Sequence, residues 1–423
     1  MENNSVQLKE GIKLHLIKNN KYKTNLVSIM ITTKLNKDNV TKNALIPVVL
    51  RRGSKTLDTQ EKINKYLEEM YGASIDCGLD KNGDNHVIKF YIETINDEFI
   101  PNEDKNILKL SIETLLDIVF NPYIENNGFK NTYVEQEKNY LKQIIKGRVD
   151  NKSRYALDRC IEEMYKNEAY GLYKYGNEKD LDNINEKDLY NYYLKLINEA
   201  KIDIFISGNI NDDTINFVKE NNNIKKLKER KPEYIDNLFF GKKSDKENIV
   251  TEELEVNQGK LVIGLDVDTK TIEDKYAIMV YNAILGGTAN SKLFQNVREK
   301  ESLAYSASSV YYKVKNNIFI NCGIEINNYK KALKIIKKQI EDMNKGMYDE
   351  SDIENAKNII ISSIKSIEDE QDTEIVYFFG QELSKENISI DSYIKKISDV
   401  SKEDIERISK KISINTIYFL KNK

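Results

Sequence analysis

The chain has 423 residues, with 65 Lys and Arg against 68 Asp and Glu, a formal net charge of −3, two histidines and three cysteines. That length suits two or three domains with separate cores, and the near-cancelling charge argues against a nucleic-acid partner held by bulk electrostatics. Cys77, Cys160 and Cys322 are odd in number and far apart, no apolar run approaches the ~18 residues that cross a bilayer, and "MENNSVQLKEG" has no secretory pattern. A reduced, cytoplasmic protein with no membrane segment is expected.

In chain order, "GIKLHLIKN" (11–19) alternates like a strand, and His15 within it reads as a strand residue without a catalytic task. "NALIPVVLRRGSKT" (43–56) is an apolar helical stretch ending in a glycine turn, with Pro47 expected to shorten or kink it. "NHVIKFYIET" (85–94), opened by His86, is a second strand; it is a candidate for an ancestral edge to which a peptide adds, and whether it still offers one is open at this point. An amphipathic helix with Leu108, Ile112, Leu115 and Val119 follows. Another opens at "VEQEKN" (134–139), and "INEKDL" (184–189) starts a third, with Asn185 as N-cap and Asp188 three residues on. "IDIFISG" (202–208) is a strand. The basic run "KKLKERK" (225–231) is soon followed by Glu233 and Asp236 and reads as solvated linker, not as a phosphate patch.

The second half repeats this order. "NNIFINCGIEI" (316–326) is a strand followed by a helix with Leu333, Ile336, Ile340 and Met343. "IENAKN" (353–358) sits on a helix whose apolar face is Ile353, Ala356, Ile360, Ile364 and Ile367. "VSKEDI" (400–405) repeats the cap with Ser401 and Asp404, and "NTIYFL" (415–420) closes on a strand. The caps recur at an offset of 216 residues and the two helices at 219. A tandem duplication follows: an α+β fold of two homologous halves, each a mixed or antiparallel sheet with helices packed on one side. The halves are expected at 1–221 and 251–423, joined by a linker at 222–250 in a clamshell.

Two histidines leave little room for hydrolytic chemistry. A serine or cysteine nucleophile needs a histidine base, no phosphate-cradling G-x-x-x-x-G-K-[ST] occurs, and no spacing gathers zinc ligands. The stretch "GGTANSKLFQNVREKESLAYS" (286–306) is the informative one. Gly286, Gly287, Ser291, Leu293, Phe294, Val297, Arg298, Glu299, Lys300, Leu303, Ala304 and Tyr305 fit G-G-x-x-x-S-x-L-F-x-x-[IV]-R-E-K-x-[GS]-L-A-Y. In this the chain resembles the pitrilysin/insulinase-type zinc metallopeptidases, also built from two homologous α+β halves.

The resemblance implies an inverted zinc motif, H-x-x-E-H, in the N-terminal half. Anchored on Gly53-Ser54, its two histidines and glutamate fall on Ala44, Val48 and Pro47, none of which binds metal or takes a proton. The third ligand of the family falls on Glu135, with Glu137 as a competing choice. Arg298 and Tyr305 correspond to the family's arginine and tyrosine that reach toward the zinc centre and grip the peptide. The plainer alternative pairs Arg298 with a neighbouring glutamate and packs Tyr305 into the sheet. Overall the chain is similar to degenerate bacterial subunits of this family that pair with an intact homologue. That likeness implies a non-catalytic chain with no metal of its own and zinc in an H-x-x-E-H-bearing partner. It also implies peptide substrates, no nucleic acid and a heterodimer, with a homodimer also open. An inert scaffold or assembly protein of the same fold is the competing reading.

Overall fold

The computed structural model describes residues 3–101, 106–235, 246–269 and 271–423. The first sheet has six strands: β1 (Asn3–Lys9), β2 (Ile12–Lys18), β3 (Thr24–Lys34), β4 (Ser74–Asn82), β5 (Asn85–Ile95) and, after a short hairpin of β6 (Ile124–Glu125) and β7 (Gly128–Phe129), β8 (Lys201–Gly208). Their order is β1-β2-β8-β3-β5-β4, antiparallel except for the β2–β8 pair. The second sheet comprises β9 (Asn248–Glu253), β10 (Gly259–Val267), β11 (Ala304–Tyr312), β12 (Asn317–Ile324) and β13 (Ile412–Lys421), in the order β11-β12-β10-β13-β9. Only β13–β9 is parallel. Matching β2, β3, β4, β5 and β8 with β9 to β13 gives the same order and the same directions, which is the repeat seen in the sequence.

Helices α1 (Val40–Leu50), α2 (Gln60–Glu69), α3 (Ile107–Phe120) and α4 (Asn131–Gly147) belong with the first sheet. Leu108, Ile112, Leu115 and Val119 of α3 are buried with Ile29, Ile31, Ile88, Phe90 and Ile204 from one sheet face. The helix Glu350–Lys365 buries Ile353, Ala356, Ile360 and Ile364 in the corresponding layer of the second unit, while Ile367 lies just past its end. Asn185 accepts from the Lys187 and Asp188 amides at 3.0 and 2.9 Å, and Ser401 with Asp404 forms a reciprocal capping box.

The central strands of both sheets are buried on both faces, and β8 has no exposed residue at all. A strand that hides both sides needs cover on both sides, so each sheet carries one further helix opposite its main helical layer. On the first sheet this is Gln371–Ser384, from the end of the sequence. Phe379 meets Phe205 edge-on with centroids 6.2 Å apart, and Gln371 donates to the Ser207 carbonyl at 2.9 Å. Glu382 reaches Lys13 at 2.8 Å and Lys201 at 3.3 Å.

Beneath that helix His15 is buried, stacked on Phe205 at 4.2 Å and 3.1 Å from Asp203, which also pairs with Lys201. Burial alone would raise the Asp203 pKa, but the Lys201 ammonium and His15 hold it below the usual carboxylate range. His15 is thus part of a structural ionic cluster. On the second sheet the extra helix is α5 (Lys152–Met164), from the first half of the sequence. Its Ala156, Leu157, Cys160 and Ile161 bury against Val262, Phe319 and Tyr418. Arg159 and Tyr155 of α5 bond Glu252 at 3.0 and 2.5 Å.

The compact units therefore run across the sequence. One comprises Met1–Lys146, Leu172–Ile235 and Glu368–Glu382; the other comprises Gly147–Gly171, Asp236–Ile367 and Leu383–Lys423. Two expectations need correction. Strand 85–94 is no edge: β5 lies between β3 and β4, and the edge strands are β1 and β4, the latter with Asp76, Asp80 and Lys81, charges an edge strand tolerates. The first part of the expected linker is docked, because Ile224, Leu227 and Arg230 are buried while Lys225, Lys226, Lys228 and Lys231 stay exposed. Residues 236–245 of that segment lie outside the described residues.

Phe379→Ala should lower unfolding stability by about 3 kcal/mol, read from urea midpoints. A loss under 1 kcal/mol would mean that this helix does not close the sheet.

Candidate functional site

Helix α1 carries the three positions at which the family pattern places zinc chemistry. Ala44 and Pro47 are buried and Val48 is half-buried, so the face is packed hydrocarbon. Pro47 does not end the helix: α1 continues one turn to Leu50, and the Arg51 amide still donates to the Pro47 carbonyl at 3.2 Å. What the proline removes is its own N–H, which would have bonded the Asn43 carbonyl four residues back. The Asn43 side chain instead anchors the helix, with Nδ2 3.1 Å from His86 Nδ1 and Oδ1 accepting from the Tyr192 hydroxyl at 2.6 Å. His86 is fully buried, and burial pushes its imidazole down to about 3, so it is neutral at physiological pH. Gly53 and Ser54 persist for structural reasons. A Cβ on Gly53 would lie 2.6 Å from the Asp58 carbonyl oxygen, and buried Ser54 closes the turn by accepting from the Leu57 amide at 3.0 Å.

Of the two glutamates on α4, Glu135 points outward and pairs with Lys138 at 2.8 Å. Glu137 is the one that faces the end of α1, with Oε1 2.9 Å from Arg52 Nε. Arg52 also donates to Gln60 at 2.9 Å and to Gln136, and lies 5.5 Å from the Tyr133 ring centroid. Alongside, Arg51 bonds Asp76 at 2.7 Å. Burial pushes the neighbouring Cys77 thiol up to about 11 despite Arg51, so it stays protonated and is a poor ligand. The zinc that the family implies does not fit: Ala44, Pro47 and Val48 offer no donor atom, the one suitable carboxylate is held by an arginine, and no group of three possible ligands gathers among the described residues.

The glycine-rich stretch in the other unit is intact. The helix Asp274–Asn282 runs into a π-helical turn at Ala283–Gly287, and a second π turn spans Phe294–Lys300. Such turns are rare and concentrate at functional sites. A Cβ on Gly286 would come within 2.6 Å of Ser309 Oγ and 2.8 Å of Leu293 Cδ1, so only glycine lets this turn seat against β11. Leu293, Val297, Leu303 and Ala304 fill the core beneath.

Arg298 and Tyr305 stand on top of this platform. Arg298 is 42% exposed, stacks on Phe294 at 4.4 Å and, among the described residues, has as its one ion pair a 3.7 Å contact to Glu299. Tyr305 is 74% exposed at a register break in the edge strand β11, and its hydroxyl makes no hydrogen bond among the described residues. A bulge of this kind turns a side chain out of the pleat. Tyr305 is not packed into the sheet as the plainer alternative has it, whereas Arg298 does keep the contact with a neighbouring glutamate which that alternative describes.

A family profile described as "Peptidase M16 inactive domain" matches residues 183–360. The "Probable inactive metalloprotease YmfF" of Bacillus subtilis is 35% identical over 412 residues, covering 97% of this chain and 96% of that protein. The chain belongs to the M16 peptidase family. It is also similar to the "Uncharacterized zinc protease YmxG" of the same bacterium, at 25% identity over 60% of each chain. Among solved structures it resembles a conserved protein from Enterococcus faecalis, with TM-score 0.91, 27% identity, and coverage of 100% of this chain and 99% of that one. The M16 fold, the inverted-motif resemblance and the inactive class agree with the residues at 44–48. No helix among the described residues is long and apolar enough to cross a membrane.

The sequence missed the Arg52–Glu137 contact, because Arg52 lies just past the end of α1, where helical periodicity no longer fixes the direction of a side chain. The buried His86 sets a pH dependence. The unfolded chain takes up a proton below about 6.5, whereas the folded chain resists until about 3. The stability this residue contributes is therefore complete above pH 6.5 and shrinks as pH falls, by about 1.4 kcal/mol per unit. Urea unfolding at pH 6 and pH 4.5 should show a steeper acid loss in the wild type than in His86→Asn; equal slopes would refute it.

Proposed function

We propose that this chain is the non-catalytic subunit of a cytoplasmic, heterodimeric zinc peptidase, and that it presents Arg298 and Tyr305 to a site whose metal and general base belong to an H-x-x-E-H-bearing homologue. The observation that carries this reading is the contrast between the units. The helix meant for zinc has been filled with hydrocarbon, while the stretch 286–305 keeps its glycine, its π turns and two exposed donors without strong partners. The relative named as an uncharacterized zinc protease in the same bacterium as the inactive one supports a zinc-bearing homologue as partner.

The chemistry suits the two side chains. Cleavage of a peptide bond develops negative charge on the carbonyl oxygen, and preorganised donors aimed at it lower the barrier. Arg298 is a permanent cation whose forked donors suit a carbonyl or carboxylate, and Phe294 beneath it fixes the guanidinium plane. Tyr305 adds one neutral donor beside the free edge of β11. The substrates on this reading are short or unfolded peptides, whose backbones are available to such donors.

The purified chain alone should hold no stoichiometric zinc and cleave no peptide, and should gain peptidase activity when mixed with a zinc-bearing homologue. In that mixture Arg298→Ala should lower kcat/KM by roughly 10²-fold with an unchanged melting temperature. Undiminished turnover in that variant would favour the inert scaffold of the same fold.

A further inference from the structure

The lost metal site has not simply been emptied. Ala44, Val48 and Arg52 succeed one another at four-residue steps, and Arg52 follows the end of α1 in a turn where its amide donates to the Val49 carbonyl at 3.1 Å. The side on which the family pattern puts its histidines therefore ends in a guanidinium. That guanidinium lies on the only carboxylate of α4 that faces α1 among the described residues, with Nε 2.9 Å from Glu137 Oε1. Its other two nitrogens donate to Gln60 of α2, at 2.9 Å, and to Gln136 of α4. Arg52 and Glu137 are only 24% and 13% exposed, so the pair is largely shielded from water.

We propose that Arg52 replaces the metal: its cation takes the place of the zinc charge opposite Glu137 and joins α1, α2 and α4 as a permanent internal tie. The argument is one of charge and geometry. A carboxylate as sheltered as Glu137 requires a cation, because an unpaired buried charge is strongly destabilising. A metal meets that need only while His and Glu ligands hold it, and Ala44, Pro47 and Val48 hold nothing. Arginine is always charged and carries a planar fork of donors; here its two terminal nitrogens donate to Gln60 and Gln136, while Nε lies within ion-pair distance of Glu137. Arg51, bonded to Asp76 next door, adds a second positive charge that further disfavours a dication. It follows that restoring the three lost side chains does not by itself restore a zinc site.

Two measurements on the full chain test this. The first is a double-mutant cycle with Arg52→Met and Glu137→Gln, read by thermal unfolding. Each single change should lower Tm by roughly 3–6 °C, and the double variant should fall by no more than the larger single change. Additive losses would overturn the tie. The second compares Ala44→His/Pro47→Glu/Val48→His with the same triple variant carrying Arg52→Met, each dialysed against zinc chloride and assayed for bound metal. With Arg52 present, zinc should bind at least about 100-fold more weakly than without it. Equal binding in the two variants, or stoichiometric zinc in neither, would overturn the claim that Arg52 keeps the metal out. Neither readout depends on peptidase activity.

Discussion

The architecture depends on sheets whose central strands are buried on both faces. In β8 every residue is covered, and Phe205, Asp203 and Ser207 face away from the main helical layer into a space that must also be closed. Helix Gln371–Ser384 closes it with one aromatic contact, one amide and two carboxylates. On the second sheet α5 does the same with Leu157, Cys160 and Ile161 over Val262 and Phe319. Because the covering helix comes in each case from the other half of the sequence, the duplicated units are compact in space but interrupted along the chain.

Much of this was legible beforehand, and the reasons for what was not are physical. Periodicity identified the helices and strands, since it records which side of an element is buried; the caps at Asn185 and Ser401 followed from side-chain chemistry alone. Periodicity does not record what the buried side meets. A helix such as Gln371–Ser384 looks the same whether it covers the nearer sheet or the farther one, so the exchange was invisible. The edge was misread for a related reason. Strand 85–94 attracts attention because it is apolar, but apolar strands belong in the middle of a sheet, and the charged β4 was the better candidate.

The candidate site divides in the same way. Ala44, Pro47 and Val48 could be judged by chemistry alone, because no arrangement gives a methyl group or a proline ring a lone pair for zinc. The choice between Glu135 and Glu137 could not, since two residues two apart on a helix point to opposite sides and only the neighbours decide which matters. Arg52 is that neighbour. For Arg298 and Tyr305 the sequence supplied identity and the structure supplied exposure. The π turn and the register break hold both at the surface, where a core role is excluded.

The exchange of covering helices also governs how this polypeptide can be divided. A cut in 236–245 looks like a clean separation of two repeats, yet the leading fragment would keep its six strands and lose the lid over β2 and β8, leaving Phe205 and the Lys201–Asp203 pair open to solvent. The trailing fragment would likewise lack α5 and bare Phe319 and Tyr418. Neither piece is an autonomous module, and a nicked chain would stay native only while both fragments remained associated.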